Sequence, residues 1–213
     1  MLKLYGFPIS NYFNMVKLAM LEKGLEFETV VTRPSQEADY LRISPMGKIP
    51  CLKVDEGPLS ETDAILDFLE DISSEVALFP DDPYQKAKVR ELMKSTEIYL
   101  ELVARRLLGS VFFGETLSEE LKSDVIAQLE KGTAALNKLL KFGPYAAGAD
   151  FTYADIMLYY TVTLWSMATQ KTLDINLEDK LPGLGKWLEL MDKNPLVQKV
   201  NADRDEAFKT VAG

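Results

Sequence analysis

Residues 46–71, MGKIPCLKVDEGPLSETDAILDFLED, constrain the fold more than any other stretch of this chain. Pro50 opens the short apolar run Cys51-Leu52-Lys53-Val54, and proline is tolerated at the first residue of a strand because it need donate no ladder hydrogen bond there. Asp55-Glu56-Gly57 is a tight hairpin signal, and Pro58-Leu59-Ser60 is a short returning strand. From Ser60 the apolar spacing becomes helical, with Ala64, Ile65, Phe68 and Leu69 expected on one face. The segment therefore reads as strand, hairpin, strand, helix.

Glu61 and Thr62 stand where the second strand hands over to that helix. The unpaired amides of a first helical turn and the positive end of the helix dipole lie beside them. Those amides and the Thr62 hydroxyl suit a carboxylate, while the Glu61 carboxylate suits an ammonium, so the pair fits the zwitterionic head of an amino acid. The structural alternative is a capping box of Ser60 and Asp63 with Glu61 merely solvated.

The ordered pattern Gly47-Lys48-Ile49-Pro50, then Glu61-Thr62, then Ala64-Ile65 resembles the cytosolic glutathione transferases, where Val or Ile precedes a cis-proline and Glu-Ser/Thr follows eleven residues after it. The resemblance implies a thioredoxin-like domain that binds glutathione. Glu61 and Thr62 would hold the γ-glutamyl end, the Ile49 backbone next to a cis Pro50 would pair with the cysteinyl unit, and Lys48 would reach the glycyl carboxylate.

The chain contains no histidine, which removes the commonest general base, the commonest transition-metal ligand and every histidine triad. Its single cysteine, Cys51, excludes an internal disulfide, a CxxC redox pair and a cysteine zinc site, and no metal is expected. The formal net charge of −9 opposes nucleic acid and anionic membrane surfaces. The longest apolar stretch, residues 156–168, is too short to span a bilayer and is broken by Thr161, Thr163 and Ser166. Pro8, Asn11 and Asn14 fall where a signal peptide would need its apolar core, so a cytoplasmic protein is expected.

Residues 2–5 read as a first strand and residues 27–31 as a second, with a short helix over residues 36–43 before Pro45. Between the strands, Ser10 starts a helix marked by Phe13, Val16, Ala19 and Met20 and stopped by Gly24. The order βαβα followed by ββα predicts a small mixed sheet with helices on both faces. An N-cap is the structural role of Ser10. The run Tyr5-Gly6-x-Pro8-x-Ser10 followed by Val16 and Leu18 also resembles the Ser-type members of the family, which places the catalytic hydroxyl on Ser10. Tyr5 is its rival and is expected to pack in the strand. Cys51 reads as a small buried hydrophobe starting a core strand rather than as a nucleophile.

Periodicity lapses over residues 73–83, where Pro80, Asp81, Asp82 and Pro83 accumulate. Domains are therefore expected at 1–75 and 84–213, joined by a linker at 76–83. Asp82-Pro83 opens a long helix with Gln85 at the capping-box position. Thr116 with Glu119 predicts a second box, opening a helix towards Leu140, and Thr152 with Asp155 a third, with Phe151 stapled onto Ile156. No strand-like alternation follows, so the second domain is expected to be all helical. Its Thr-x-x-Asp element and the Pro182-Gly183-Leu184 and Asn194-Pro195-Leu196 runs extend the family resemblance over nearly the full length.

The function expected from the resemblance is conjugation of the glutathione thiolate to a small electrophile by a homodimeric enzyme. The alternatives are a non-catalytic glutathione-binding scaffold of the same fold, or peroxide reduction or dehalogenation at the same thiolate. Tyr12, Tyr99, Arg106 and Trp165 are candidates for the electrophile pocket, each with a core or surface alternative.

Overall fold

The computed structural model describes residues 1–73 and 75–212. Ser74, near the end of the expected first domain, and Gly213, at the end of the expected second domain, lie outside the described residues. The chain forms two compact units, one of Met1–Leu78 with the segment from Asp192 onward, the other of Phe79–Met191.

The first unit holds strands β1 (Leu2–Gly6), β2 (Phe27–Val31), β3 (Cys51–Lys53) and β4 (Pro58–Ser60) with helices α1 (Asn11–Glu22), α2 (Ala38–Leu41) and α3 (Thr62–Ile72). The sheet order is β2-β1-β3-β4. β1 runs parallel to β2 and antiparallel to β3, with Leu4 opposite Leu52 and Tyr5 opposite Cys51, and β3 runs antiparallel to β4. The β1-α1-β2 crossover makes the parallel pair and the hairpin at residues 55–57 makes the antiparallel one, as the connection lengths require. This is the mixed sheet expected from the sequence.

Leu4, Cys51 and Leu52 from the sheet, with Phe13, Val16 and Met20 from α1 and Ile65, Leu66 and Leu69 from α3, are all fully buried. The apolar face of α3 differs from the expected one. Ala64 is exposed and Phe68 only half-buried, while Thr62, Ile65, Leu66 and Leu69 are buried. Because the helix begins at Thr62, the inward stripe is the i, i+3, i+4, i+7 set counted from that residue. α2 is shorter than expected and has no buried residue.

Two features bind this unit together that no periodicity announces. Lys23, at the end of α1, has a side chain with no solvent exposure; its ammonium contacts Glu70 Oε2 at 2.7 Å and donates to the carbonyls of Ser73 and Val76. The last helix of the chain, to which residues 195–212 belong, is fastened to α1 by the Lys17–Asp203 ion pair at 2.6 Å, and Asn194 just before it donates to Glu22 at 2.7 Å.

In the second unit α4 (Pro83–Thr96) passes into a π-helical turn (Glu97–Glu101), α5 (Leu102–Ala104), a 3-10 turn (Arg105–Leu107) and α6 (Leu108–Phe112). α7 (Glu119–Leu139), α8 (Tyr153–Leu173), α9 (Leu177–Lys180) and α10 (Leu184–Met191) follow, and α11 (Pro195–Ala212) returns to the first unit. Asp82 caps α4 as expected, accepting from the Gln85 amide at 2.8 Å. The cap of α7 is Ser118, accepting from Leu121 at 3.1 Å, and Thr116 lies outside the helix. Ser118 wins because it leaves Glu119 and Glu120 together in the first turn, beside the positive end of the dipole.

The box at the start of α8 forms as read. Asp155, with no solvent exposure, accepts from the Thr152 amide at 2.9 Å and from the Ala146 amide at 2.7 Å, and the Trp187 indole donates to it at 2.9 Å. Phe151 stacks edge-on against Tyr145, with ring centroids 5.7 Å apart.

Candidate functional site

Ser10 stands at the amino end of α1, one residue outside the helix, with extended backbone (φ −74°, ψ 122°). Its hydroxyl oxygen accepts from the Phe13 amide at 3.3 Å, its own amide donates to the Phe7 carbonyl at 3.1 Å, and its carbonyl accepts from Asn14 at 3.0 Å. The N-cap role is therefore realised. It uses an oxygen lone pair and leaves the hydroxyl hydrogen available to a further acceptor. Close packing brings the loop to this position. Gly6 has φ +152°, and a Cβ there would overlap the Phe13 ring, so the end of β1 can meet α1 only as glycine. Tyr5 lies within β1, paired with Val30 and Cys51, as expected.

The Ile49–Pro50 peptide is cis. Pro50 is buried, Ile49 half-buried and Lys48 exposed. The turn before them is packed from two sides. The Lys48 carbonyl accepts from the Tyr40 hydroxyl at 2.9 Å, and the Lys48 amide donates to Ser44 Oγ at 3.0 Å. Gly47, at φ +65°, sits where a Cβ would overlap the Ser35 carbonyl. Its own carbonyl accepts from the Ser35 amide at 2.9 Å.

Glu61 is the N-cap residue of α3 and makes no side-chain capping bond, so the capping box of Ser60 and Asp63 is not the arrangement found; Ser60 belongs to β4. Glu61 takes φ +69°, a left-handed-side conformation that is uncommon for a residue with a Cβ, and its side chain is exposed. Thr62, the first helical residue, is 7% exposed. A strained backbone that aims an exposed carboxylate beside the start of a helix is the kind of departure found where a ligand is held.

Cys51 is buried, and its thiol is pushed above its ordinary range, by burial first and by the nearby Glu61 charge as an opposing minor cause to the hydrogen bonds of Ser44 and Tyr40. A thiol so placed stays protonated at neutral pH and packs as a hydrophobe. Trp165, among the candidates for an electrophile pocket, has no exposure and donates to Glu101 at 3.3 Å, which makes it a core residue of the second unit. Arg106 pairs with Asp124 at 2.5 Å, Tyr99 is 49% exposed, and Tyr12 is half-buried on α1.

Sequence reading did not single out Asn14 for this site. Its side-chain amide donates to the Pro8 carbonyl at 2.7 Å, across the loop that carries Ser10. The signal available was weak, a polar residue one turn from Asn11 and from Lys17 on the same helix.

Residues 4–77 match the family model of the glutathione S-transferase N-terminal domain, and residues 98–190 that of the C-terminal domain. A glutathione S-transferase of Pseudomonas putida is 44% identical over 208 residues, covering 98% of this chain and 94% of its own. The crystal structure of a glutathione S-transferase from Pseudomonas fluorescens is 26% identical, with a TM-score of 0.75 over 92% of this chain and 96% of that one. Glutathione transferase F2 of Populus trichocarpa shares the fold, with a TM-score of 0.82 at 20% identity over 97% of this chain and 100% of that one. The chain belongs to the glutathione S-transferase family, with a thioredoxin-like amino-terminal domain followed by a helical one.

Proposed function

We propose that this protein is a glutathione transferase in which Ser10 holds the glutathione sulfur as thiolate while Glu61 and Thr62 hold the γ-glutamyl end. The observation that carries the reading is the Ser10 hydroxyl. Its oxygen is already committed to the Phe13 amide, so its hydrogen is the part left to donate, and it does so beside the amino end of a twelve-residue helix whose dipole favours an anion. Stabilising S⁻ in this way requires no general base, which suits a chain without histidine.

The thiol loses its proton to solvent on binding, and the thiolate attacks the electrophilic carbon. In a substitution a C–S bond forms and the leaving group departs with its electron pair. In an addition to an enal the new carbanion takes a proton from water. The exposed Glu61 carboxylate answers the ammonium of the γ-glutamyl unit, and the first-turn amides and hydroxyl of Thr62 answer its carboxylate. The Ile49 backbone pairs with the cysteinyl unit, and exposed Lys48 reaches the glycyl carboxylate. The family reading carries a homodimer, a cytoplasmic location and a detoxifying role with it.

The test is a panel. The protein is incubated with glutathione and aryl halides, enals, hydroperoxides or disulfides. Conjugation of an aryl halide or enal supports the proposal, reaction confined to hydroperoxides or dehalogenation moves it to the other thiolate chemistries, and glutathione binding with no reaction makes the protein a scaffold.

A further inference from the structure

We infer that Asn14 is the positioning residue of the Ser10 hydroxyl, acting by fixing the Phe7-Pro8-Ile9 loop from one helical turn beyond the cap. The inference rests on the glutathione-transferase reading of Ser10.

Asn14 is 1% exposed on α1, more deeply buried than the polar residues one turn to either side of it, Asn11 at 6% and Lys17 at 8%. Burying an amide is favourable only if its polar atoms find partners, and here that condition is half met. The side-chain nitrogen donates to the Pro8 carbonyl at 2.7 Å, and Oδ1 is buried with no partner. The orientation is set by chemistry, because a carbonyl can only accept and the amide must present nitrogen to it. A leucine of similar size would fill the site without leaving an orphaned oxygen. What asparagine adds is the tether.

The tether matters because of where it attaches. Pro8 has no N–H, so this residue can be held through its carbonyl and not through a donated backbone bond. The loop reaches α1 through Ser10 N to Phe7 O at 3.1 Å and Asn14 Nδ2 to Pro8 O at 2.7 Å. Asn14 N also donates to Ser10 O at 3.0 Å. Asn14 thus grips both sides of the turn, its backbone holding the carbonyl of Ser10 and its side chain the carbonyl two residues earlier. A hydroxyl positioned to within a few tenths of an ångström of its acceptor depends on such a supporting contact.

The experiment compares the parent, Asn14→Leu, Ser10→Ala and the double variant Ser10→Ala/Asn14→Leu. Asn14→Ala, which removes the donor without adding a charge, is measured alongside so that a folding defect in the leucine variant does not decide the outcome. The ultraviolet absorbance of bound glutathione thiolate is titrated with pH, and kcat and KM for glutathione are measured. Both Asn14 variants should raise the thiolate pKa by about one unit and lower kcat about 10-fold, with KM changed by less than about 2-fold. The double variant should behave as Ser10→Ala alone, because the effect passes through Ser10. An unchanged titration, or an Asn14 effect that persists at full size without the Ser10 hydroxyl, overturns the inference. If the parent itself shows no thiolate absorbance, the transferase reading fails. Hydrogen exchange of the Ser10 and Phe13 amides in the ligand-free protein then decides the tether: faster exchange in both Asn14 variants upholds it, and parental exchange removes it.

Discussion

The hydroxyl oxygen of Ser10 accepts from the backbone nitrogen of Phe13 at 3.3 Å, so one side chain serves as helix cap and as the donor available for a bound thiolate. The two roles do not compete. A hydroxyl has two acceptor lone pairs and one donor, and the cap uses an acceptor. Substitution of Ser10 therefore removes the capping bond as well as the proposed donor to sulfur, and its stability cost should be about 0.5–2 kcal/mol, as for other capping residues.

Glu61 and Thr62 give a sharper separation of binding from folding. Glu61 makes no capping bond and holds φ +69°, so Glu61→Gly relieves the backbone and should leave the melting temperature equal or raised, by about 0.5–1 kcal/mol of stability. The same variant should weaken glutathione binding by about 1.5–3 kcal/mol, the size of a hydrogen bond to a charged group. Thr62→Val, chosen because Thr62 is 7% exposed and must stay filled, should weaken binding by a similar amount. Calorimetric titration of each variant with glutathione checks both; parental affinity in the pair would place the γ-glutamyl end elsewhere.

Asp155 predicts a pH dependence. Burial pushes its carboxyl above the ordinary carboxylate range, against the hydrogen bonds from Ala146, Trp187 and Thr152 that pull it down. A folded value raised above the unfolded one means that the folded protein binds this proton more tightly than the unfolded chain. The resulting contribution to stability is fully present below the unfolded pKa and is lost as pH rises through the folded one. Denaturation of the parent and of Asp155→Asn across that range should show a stability difference that shrinks with rising pH. Asp155→Ala, which orphans the Trp187 and Ala146 donors, should cost about 2–4 kcal/mol below that range.

Lys23 should behave as a buried clamp. Lys23→Met takes the Lys23 ammonium from the Glu70 carboxylate, only 12% exposed, and removes the donor to the Ser73 and Val76 carbonyls. Breaking one side of such a pair costs about 3–5 kcal/mol, which chemical denaturation would detect as a lower midpoint with an unchanged slope. A loss under about 1 kcal/mol would show that water replaces the ammonium readily.

These residues also mark the limit of what the sequence discloses. The Thr152–Asp155 box, the Asp82–Pro83 start and the second strand at Phe27–Val31 were legible because caps and β-branched runs act locally. Lys23 was not, since a lysine before Gly24 at a helix end reads as a solvated C-terminal charge, and its partners Glu70 and Val76 lie about fifty residues on. On α3 the expected Ile65 and Leu69 are buried, whereas Thr62 and Leu66 take the inward places expected of Ala64 and Phe68. The π-helical turn at Glu97–Glu101 leaves no pattern that a 3.6-residue period can detect. For the site, the Ile49–Pro50 cis bond was expected from the resemblance, whereas the unusual backbone at Glu61 and the Asn14 tether depend on how the chain closes around them.

The most direct test is the thiolate titration of bound glutathione in the parent and in Ser10→Ala. A free thiol of this kind has a pKa of about 8.5, and one charge-assisted hydrogen bond of about 1.5–3 kcal/mol lowers it by about 1–2 units. The parent should therefore show a substantial thiolate fraction at pH 7. Ser10→Ala should lose that absorbance and about 10-fold to 100-fold of its turnover, recovering part of it as pH is raised, while Tyr5→Phe changes little. Parental absorbance and turnover in Ser10→Ala, together with their loss in Tyr5→Phe or Asn11→Ala, would contradict the account and move the catalytic role to that residue.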